Sequence, residues 1–158
     1  MFSILIPTFN NINYLKLCIK SLNKNSKYNH EIIIHVNDGS DGTLDFVKEK
    51  KIKFTFSENN IGLCSSLNKA AFLSNNKFIL YSHDDMYFCP QWDDVLYKEI
   101  ENLKNQQFYL SGVMIQKKMV ILTLTVDKHI MISMNKSSSI IIQKLIAMTN
   151  KDHILLLI

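Results

Sequence analysis

The chain predicts an α/β domain of three layers, with helices on both faces of a mostly parallel sheet. Apolar runs of strand length alternate with helix-period segments at roughly 25-residue intervals, the signature of right-handed βαβ units. The run Glu31-Ile32-Ile33-Ile34-His35-Val36 is almost continuously apolar, as a strand buried on both faces must be. Polar loops follow the strands and so gather on one edge of the sheet, where three-layer α/β domains keep their ligands.

Phe2 to Ile6 reads as the first strand and Pro7-Thr8-Phe9-Asn10-Asn11 as the loop after it. Leu15, Cys18, Ile19 and Leu22 then repeat at i, i+3, i+4 and i+7, the stripe of a helix lying on a sheet, with Asn10 or Asn11 as its cap. After the second strand, Asn37-Asp38-Gly39-Ser40-Asp41-Gly42-Thr43 turns the chain. Asp41 or Thr43 is placed there to cap a short helix through Phe46 and Val47. Ile52 to Phe56 alternates and suits a strand near the sheet edge. Asn60-Ile61-Gly62 opens a helix whose buried stripe is Leu63, Leu67, Ala70 and Ala71.

The fourth strand spans 77–82 and stops in two acids, Asp84 and Asp85. After Pro90, a helix carries Trp92, Val95, Leu96, Ile100 and Leu103 on one face, and Gln107 to Ile115 is the fifth strand. A buried strand ending in adjacent carboxylates puts negative charge at the open sheet edge, where a cation can reach it. Successive side chains of extended backbone point opposite ways, so labour is divided: Asp85 on a divalent metal, Asp84 on a sugar or ribose hydroxyl. The competing reading is a strand-to-helix turn with solvated acids.

The 158 residues suit one domain, and 47% hydrophobic content is ordinary for a globular protein. The formal charge of +4 is unevenly spread. Residues 1–116 hold 12 Lys against 12 Asp or Glu, and residues 117–158 hold 6 Lys against 2 Asp. No lysine cluster interleaved with aromatics marks the first part, so a nucleic-acid partner is not expected. Cys18, Cys64 and Cys89 have no C-x-x-C spacing and are expected as buried thiols of a reducing compartment. The apolar start is broken at Pro7 and has no basic lead, so no signal peptide is expected; no apolar run is long enough for a membrane span. A cytoplasmic location follows from these expectations.

All 16 aromatics and all four glycines lie before residue 117. The boundaries expected are therefore a domain over 1–116 and an atypical tail over 117–158 that forms no separate domain. The tail contains a candidate strand at 120–126, a short helix near 138–148 and a terminal strand at 154–158. It reads either as a naturally divergent closing segment or as translation out of frame.

Four motifs in order carry a resemblance: Ser3-Ile4-Leu5-Ile6-Pro7-Thr8-Phe9-Asn10, Val36-Asn37-Asp38-Gly39-Ser40-Asp41-Gly42-Thr43, Asn60-Ile61-Gly62 through Asn68, and His83-Asp84-Asp85. Together, over about 110 residues, they resemble the nucleotide-binding half of family 2 glycosyltransferases, which have the Rossmann-like GT-A fold of nucleotide-diphospho-sugar transferases. The resemblance implies a nucleoside-diphosphate sugar donor, a Mn²⁺ or Mg²⁺ ion, transfer with inversion, and a glycan, lipid or protein acceptor of unknown kind.

Pro7, Thr8 and Phe9 offer a rigid turn, a hydroxyl and a ring against which a base can pack; the competing reading keeps Phe9 in the core. Asp38 takes the place of the base-binding acid, with an Asx turn as its alternative. Gly62 would bring backbone close to a phosphate, or simply start a helix. Asn68 matches a donor-binding Asn, preceded by Leu67 where the family often has Arg. His83 replaces the first acid of the common Asp-x-Asp, as a metal partner, a sugar contact or a packed histidine, and Asp85 fills the metal position. The family's general base comes from a later acidic motif. Here only Asp127 and Asp152 follow residue 116, and neither is assigned, so the catalytic base is unknown. A non-catalytic nucleotide-sugar-binding domain is the alternative function.

Overall fold

The computed structural model describes residues 1–103 and the backbone strands at 110–111 and 154–157. In order these form β1 (Phe2–Phe9), α1 (Ile12–Asn25), β2 (Glu31–Asn37), α2 (Thr43–Glu49), β3 (Lys53–Ser57), α3 (Leu63–Ala71), β4 (Phe78–Tyr81), α4 (Trp92–Asn102), β5 (Leu110–Ser111) and β6 (Ile154–Leu157). All strand pairs are parallel, in the order β3-β2-β1-β4-β6-β5. The expected edge strand is therefore β3. The expected terminal strand lies between β4 and β5. The other predicted tail elements, 120–126 and 138–148, and the rest of the fifth strand fall outside the described residues.

Strand alternation divides the core in two. Ile4, Ile6, Ile34, Val36 and Leu80 face one side, where Leu15, Cys18, Ile19 and Leu22 of α1, Val47 of α2 and the inner face of α4 close over them. Leu5, Ile33, Ile79 and Tyr81 face the other, under Leu67, Ala70 and Ala71 of α3. The helical stripes read from spacing are in place with two corrections. Leu63, in the first turn of α3, is exposed because that turn overhangs the sheet edge, and Val95 is 56% exposed, with Trp92, Leu96, Tyr97, Ile100 and Leu103 forming the inner face of α4 instead. Cys18 is buried as expected, whereas Cys64 and Cys89 are exposed free thiols.

The residues expected as a loop, Pro7 to Phe9, continue β1. Leu5 carbonyl accepts the Ser82 N–H, so Leu5 and, two residues on, Pro7 direct their backbone groups to the β4 side. The β4 ladder ends at Leu5–Tyr81, so the missing N–H of Pro7 costs no hydrogen bond. Neither Asn10 nor Asn11 caps α1 through its side chain. Asp41 does so from a distant loop: one oxygen accepts Ile12 N–H at 2.8 Å and the other Thr43 N–H at 3.0 Å, serving two helix starts. The turn before it needs Gly39, whose φ is +76° and where a Cβ would stand 2.8 Å from Val36 Cγ1.

His35, fully buried in β2, faces Thr55 Oγ1 at 2.7 Å and Ser57 Oγ at 3.1 Å on β3. Burial pushes its imidazole down to about 4, the Lys69 charge adds to the shift, and Asn37 opposes it. The folded state therefore holds a neutral ring. Its contribution is complete above the ordinary histidine pKa and is lost as pH falls from about 6.5 to about 4, up to about 3 kcal/mol. Urea midpoints measured across that window should fall in the native protein and fall less in His35→Gln; identical pH profiles would contradict this.

Candidate functional site

The chain runs from β1 outward through β2 to β3 and then crosses to β4 on the other side of β1. The C-terminal ends of β1 and β4 therefore flank the place where connections diverge, and there the loops leave a crevice. A cleft of about 450 Å³ lies at this place, lined by Pro7, Thr8, Phe9, Asn10 and Asn11 from the end of β1, His83 and Asp84 after β4, Asn37, and the start of α3.

Residues far apart in sequence close it. Thr8 hydroxyl donates to Asp84 Oδ2 at 2.6 Å, and Asn11 Nδ2 donates to Asp84 Oδ1 at 3.1 Å. Asn10, in the left-handed region at φ +47°, donates to Asp38 Oδ2 at 2.9 Å and Ser40 Oγ at 3.1 Å. Asp38 also makes the Asx turn, accepting Ser40 N–H at 3.2 Å, and these donors, Asn10 foremost, hold its carboxyl below the ordinary range. Thr8, Asp38 and Asp84 are thus linked around one rim. Phe9 is 50% exposed beside the cleft, which removes the core reading of its ring.

Asp85 is exposed next to Asp84 and accepts no hydrogen bond among the described residues. His83 is exposed as well, with its Nε2 2.8 Å from the Tyr81 hydroxyl. Burial, and then the charges of Asp84 and Asp85, push the Tyr81 phenol up, so it stays protonated and can donate to that ring. Asn68 is half-buried on α3, outside the cleft lining. Among the described residues no group of three His, Cys, Asp or Glu side chains is arranged to hold a metal unaided.

The residue that sequence reasoning missed is Asn37. Buried at the end of β2, its Nδ2 donates to Thr8 carbonyl at 3.2 Å and Ser66 Oγ at 3.1 Å, and its Oδ1 accepts Ile61 N–H at 3.0 Å and Ser57 hydroxyl at 3.3 Å. One amide joins β1, β3, the loop before α3 and α3 itself. The signal available was a polar residue directly continuing a strand buried on both faces. Asn37→Ala leaves the Ile61 N–H and Thr8 carbonyl without their partner and should cost about 2–4 kcal/mol. Chemical denaturation reads this directly, and a loss under about 0.5 kcal/mol would remove Asn37 from the account.

The three-layer parallel α/β/α domain with a cleft beside its central strand is the arrangement expected of a GT-A fold. The chain belongs to glycosyl transferase family 2, whose model matches residues 3–148 and so runs past Gln116 into the compositionally distinct tail. The fold is similar to the crystal structure of S. aureus TarS 1-349, with TM-score 0.62 and 21% identity over 75% of this chain and 39% of that one. It is also similar to TarS 1-349 in complex with UDP, at TM-score 0.63 and 22% identity over 75% and 37% of the two chains. The complex with UDP-GlcNAc gives TM-score 0.63 and 20% identity over 75% and 36%. The chain thus spans less than two-fifths of the length of these TarS 1-349 chains. No curated protein sequence matches it.

Proposed function

We propose that the cleft binds a nucleoside-diphosphate sugar, and that the protein transfers the sugar to an acceptor hydroxyl with inversion, assisted by Mn²⁺ or Mg²⁺. The observation that carries this reading is the convergence of Thr8, Asn10, Asn11 and Asp84 on one cleft at the ends of β1 and β4, with Asp38 held against its rim. The TarS structures with UDP and UDP-GlcNAc support the donor class. The acceptor, whether glycan, lipid or protein, is left open; no nucleic-acid partner is proposed. No helix among the described residues is long and apolar enough to cross a membrane.

Charge supports the cation. The cleft lining contains Asp84 and no lysine, with Asp38 and Asp85 close by, so a diphosphate entering alone would meet like charge. Asp84 is already held by Thr8 and Asn11, which leaves Asp85 free to hold a hard divalent ion completed by phosphate oxygens and water. When bound, the ion supplies neutralisation of the diphosphate leaving group. Phe9 offers its exposed ring to the base, Asp38 accepts from base or ribose, Pro7 and Thr8 shape the wall, and Asp84 accepts from a ribose or sugar hydroxyl. Asn68, half-buried on α3 outside the cleft lining, is given a donor contact by the family resemblance alone. Residues 1–116 are the donor-binding part and 117–158 the atypical tail.

A second reading, a nucleotide-sugar-binding module without turnover, is favoured by one observation: residues 117–158 offer only Asp127 and Asp152 as acids to activate an acceptor. UDP release from UDP-GlcNAc with Mn²⁺ separates the two. Steady release above the protein-free rate is expected for the transferase, and saturable binding with no release would establish the module instead.

A further inference from the structure

We propose that the groove between α1 and α2, at the opposite end of the sheet from the cleft, is a docking site for an acidic amphipathic helix of a partner protein. The groove measures about 810 Å³ and reaches the starts of β2 and β3. Lys16, Lys20 and Lys24 stand on its α1 bank at i, i+4 and i+8, one per turn and so about 6 Å apart along the axis. Lys50 and Lys51 stand on the other bank, the stem of Lys53 lines it while its ammonium is held by Glu31 and the Leu73 carbonyl, and among the described residues no Asp or Glu lines the groove.

Part of this charge is already answered. Lys53 pairs with Glu31 at 2.8 Å, Lys50 lies 3.4 Å from Glu49, and Lys16 sits over the Phe46 ring at 5.1 Å. Lys20, Lys24 and Lys51 have no carboxylate partner among the described residues. Below them Ile19, Ile32, Phe46 and Ile52 make an apolar floor continuous with the core.

Lys51 adds an independent observation. The C-terminus of α2 is a Schellman turn, with Ile52 N–H on Val47 carbonyl and Lys51 N–H on Lys48 carbonyl, and Lys51 holds its left-handed position at φ +53°. Glycine takes that position most easily, and a side chain there costs about 1 kcal/mol. The chain bears that cost with a lysine that reaches the groove.

The occupant follows from complementarity. Acids one turn apart on a helix match lysines one turn apart on α1, and an apolar face beside them reaches the isoleucine floor. A planar anionic membrane would meet the lysine heads and leave that recessed floor unfilled. A single-stranded nucleic acid would want exposed aromatics or arginine for stacking, and of the two rings that line the groove Phe46 already lies under Lys16 and His30 is buried against Phe2.

The test uses the full chain and a labelled peptide with leucine on one helical face and glutamate on the other, followed by fluorescence anisotropy. Binding should weaken at least about tenfold in Lys20→Glu/Lys24→Glu and for a scrambled peptide of the same composition, and should fall steeply with salt. Lys51→Gly should raise the thermal midpoint yet weaken the peptide severalfold, a split that loss of folding cannot produce. The proposal is overturned by equal affinity for ordered and scrambled peptides, or by unchanged affinity in the charge-reversed variant. It is equally overturned if the peptide fails to bind while phosphatidylserine vesicles or a single-stranded oligonucleotide bind through the same lysines.

Discussion

Asp93→Ala is expected to destabilise the protein by about 3–5 kcal/mol, because three partly buried N–H donors lose the one acceptor they share. Asp93 is the second residue of α4, fully buried, and its Oδ2 accepts Lys27 N–H at 2.8 Å, Tyr28 N–H at 2.9 Å and His30 Nε2–H at 3.0 Å. His30 in turn accepts Phe2 N–H through Nδ1 at 3.2 Å, which fixes the tautomer that donates to Asp93. Its ring stacks on Phe2 and lies against Trp92. One carboxylate therefore fastens α4 to the connection between α1 and β2. Burial alone would raise its pKa, but the two backbone donors and His30 together hold it below the ordinary range. A depressed carboxyl contributes fully above its unfolded pKa and less as pH falls through the folded value. The stability gap between native and Asp93→Ala protein should thus be widest near neutrality and shrink below about pH 4. A gap that is small at pH 7, or that widens in acid, would contradict the arrangement.

Asp85→Asn should leave stability unchanged, because the side chain is exposed and accepts no hydrogen bond among the described residues, yet remove most of the gain that Mn²⁺ gives to nucleotide binding. At least about a tenfold loss is expected, since even the outer partners of metal ligands matter on that scale. Nucleotide affinity measured without metal should be nearly the same in both proteins, because the substitution removes a ligand for the ion and Asp85 itself does not line the cleft. A Mn²⁺ effect of equal size in both would exclude Asp85 as its holder.

The elements were legible where burial writes a periodic signal. Ile32 to Val36 and the Leu15-Cys18-Ile19-Leu22 stripe report their own surroundings, and both lie where spacing puts them. The same logic misplaces Leu63 and Val95, because apolar character at the end or flank of a helix does not say whether the sheet extends beneath it. It also overstates the cysteines, since Cys64 and Cys89 lie outside any buried stripe. The polar side of the molecule was legible only in part. Strand ends located the edge that carries Thr8, Asp38 and Asp84, but the bond from Thr8 to Asp84 spans 76 residues and leaves no local pattern. Asn37 hid inside what reads as an ordinary turn motif, and the capping of α1 by Asp41 depends on two loops meeting. Such closures are set by topology, and only the strand order brings their partners together.

The most direct measurement is calorimetric titration of the full chain with UDP-GlcNAc, with Mn²⁺ present and then with the ion chelated. Saturable one-site binding that UDP competes away, and that weakens strongly on chelation, is the predicted result. No heat of binding for UDP- or GDP-type compounds with Mn²⁺ present would mean that the loops at the ends of β1 and β4 do not form a donor site.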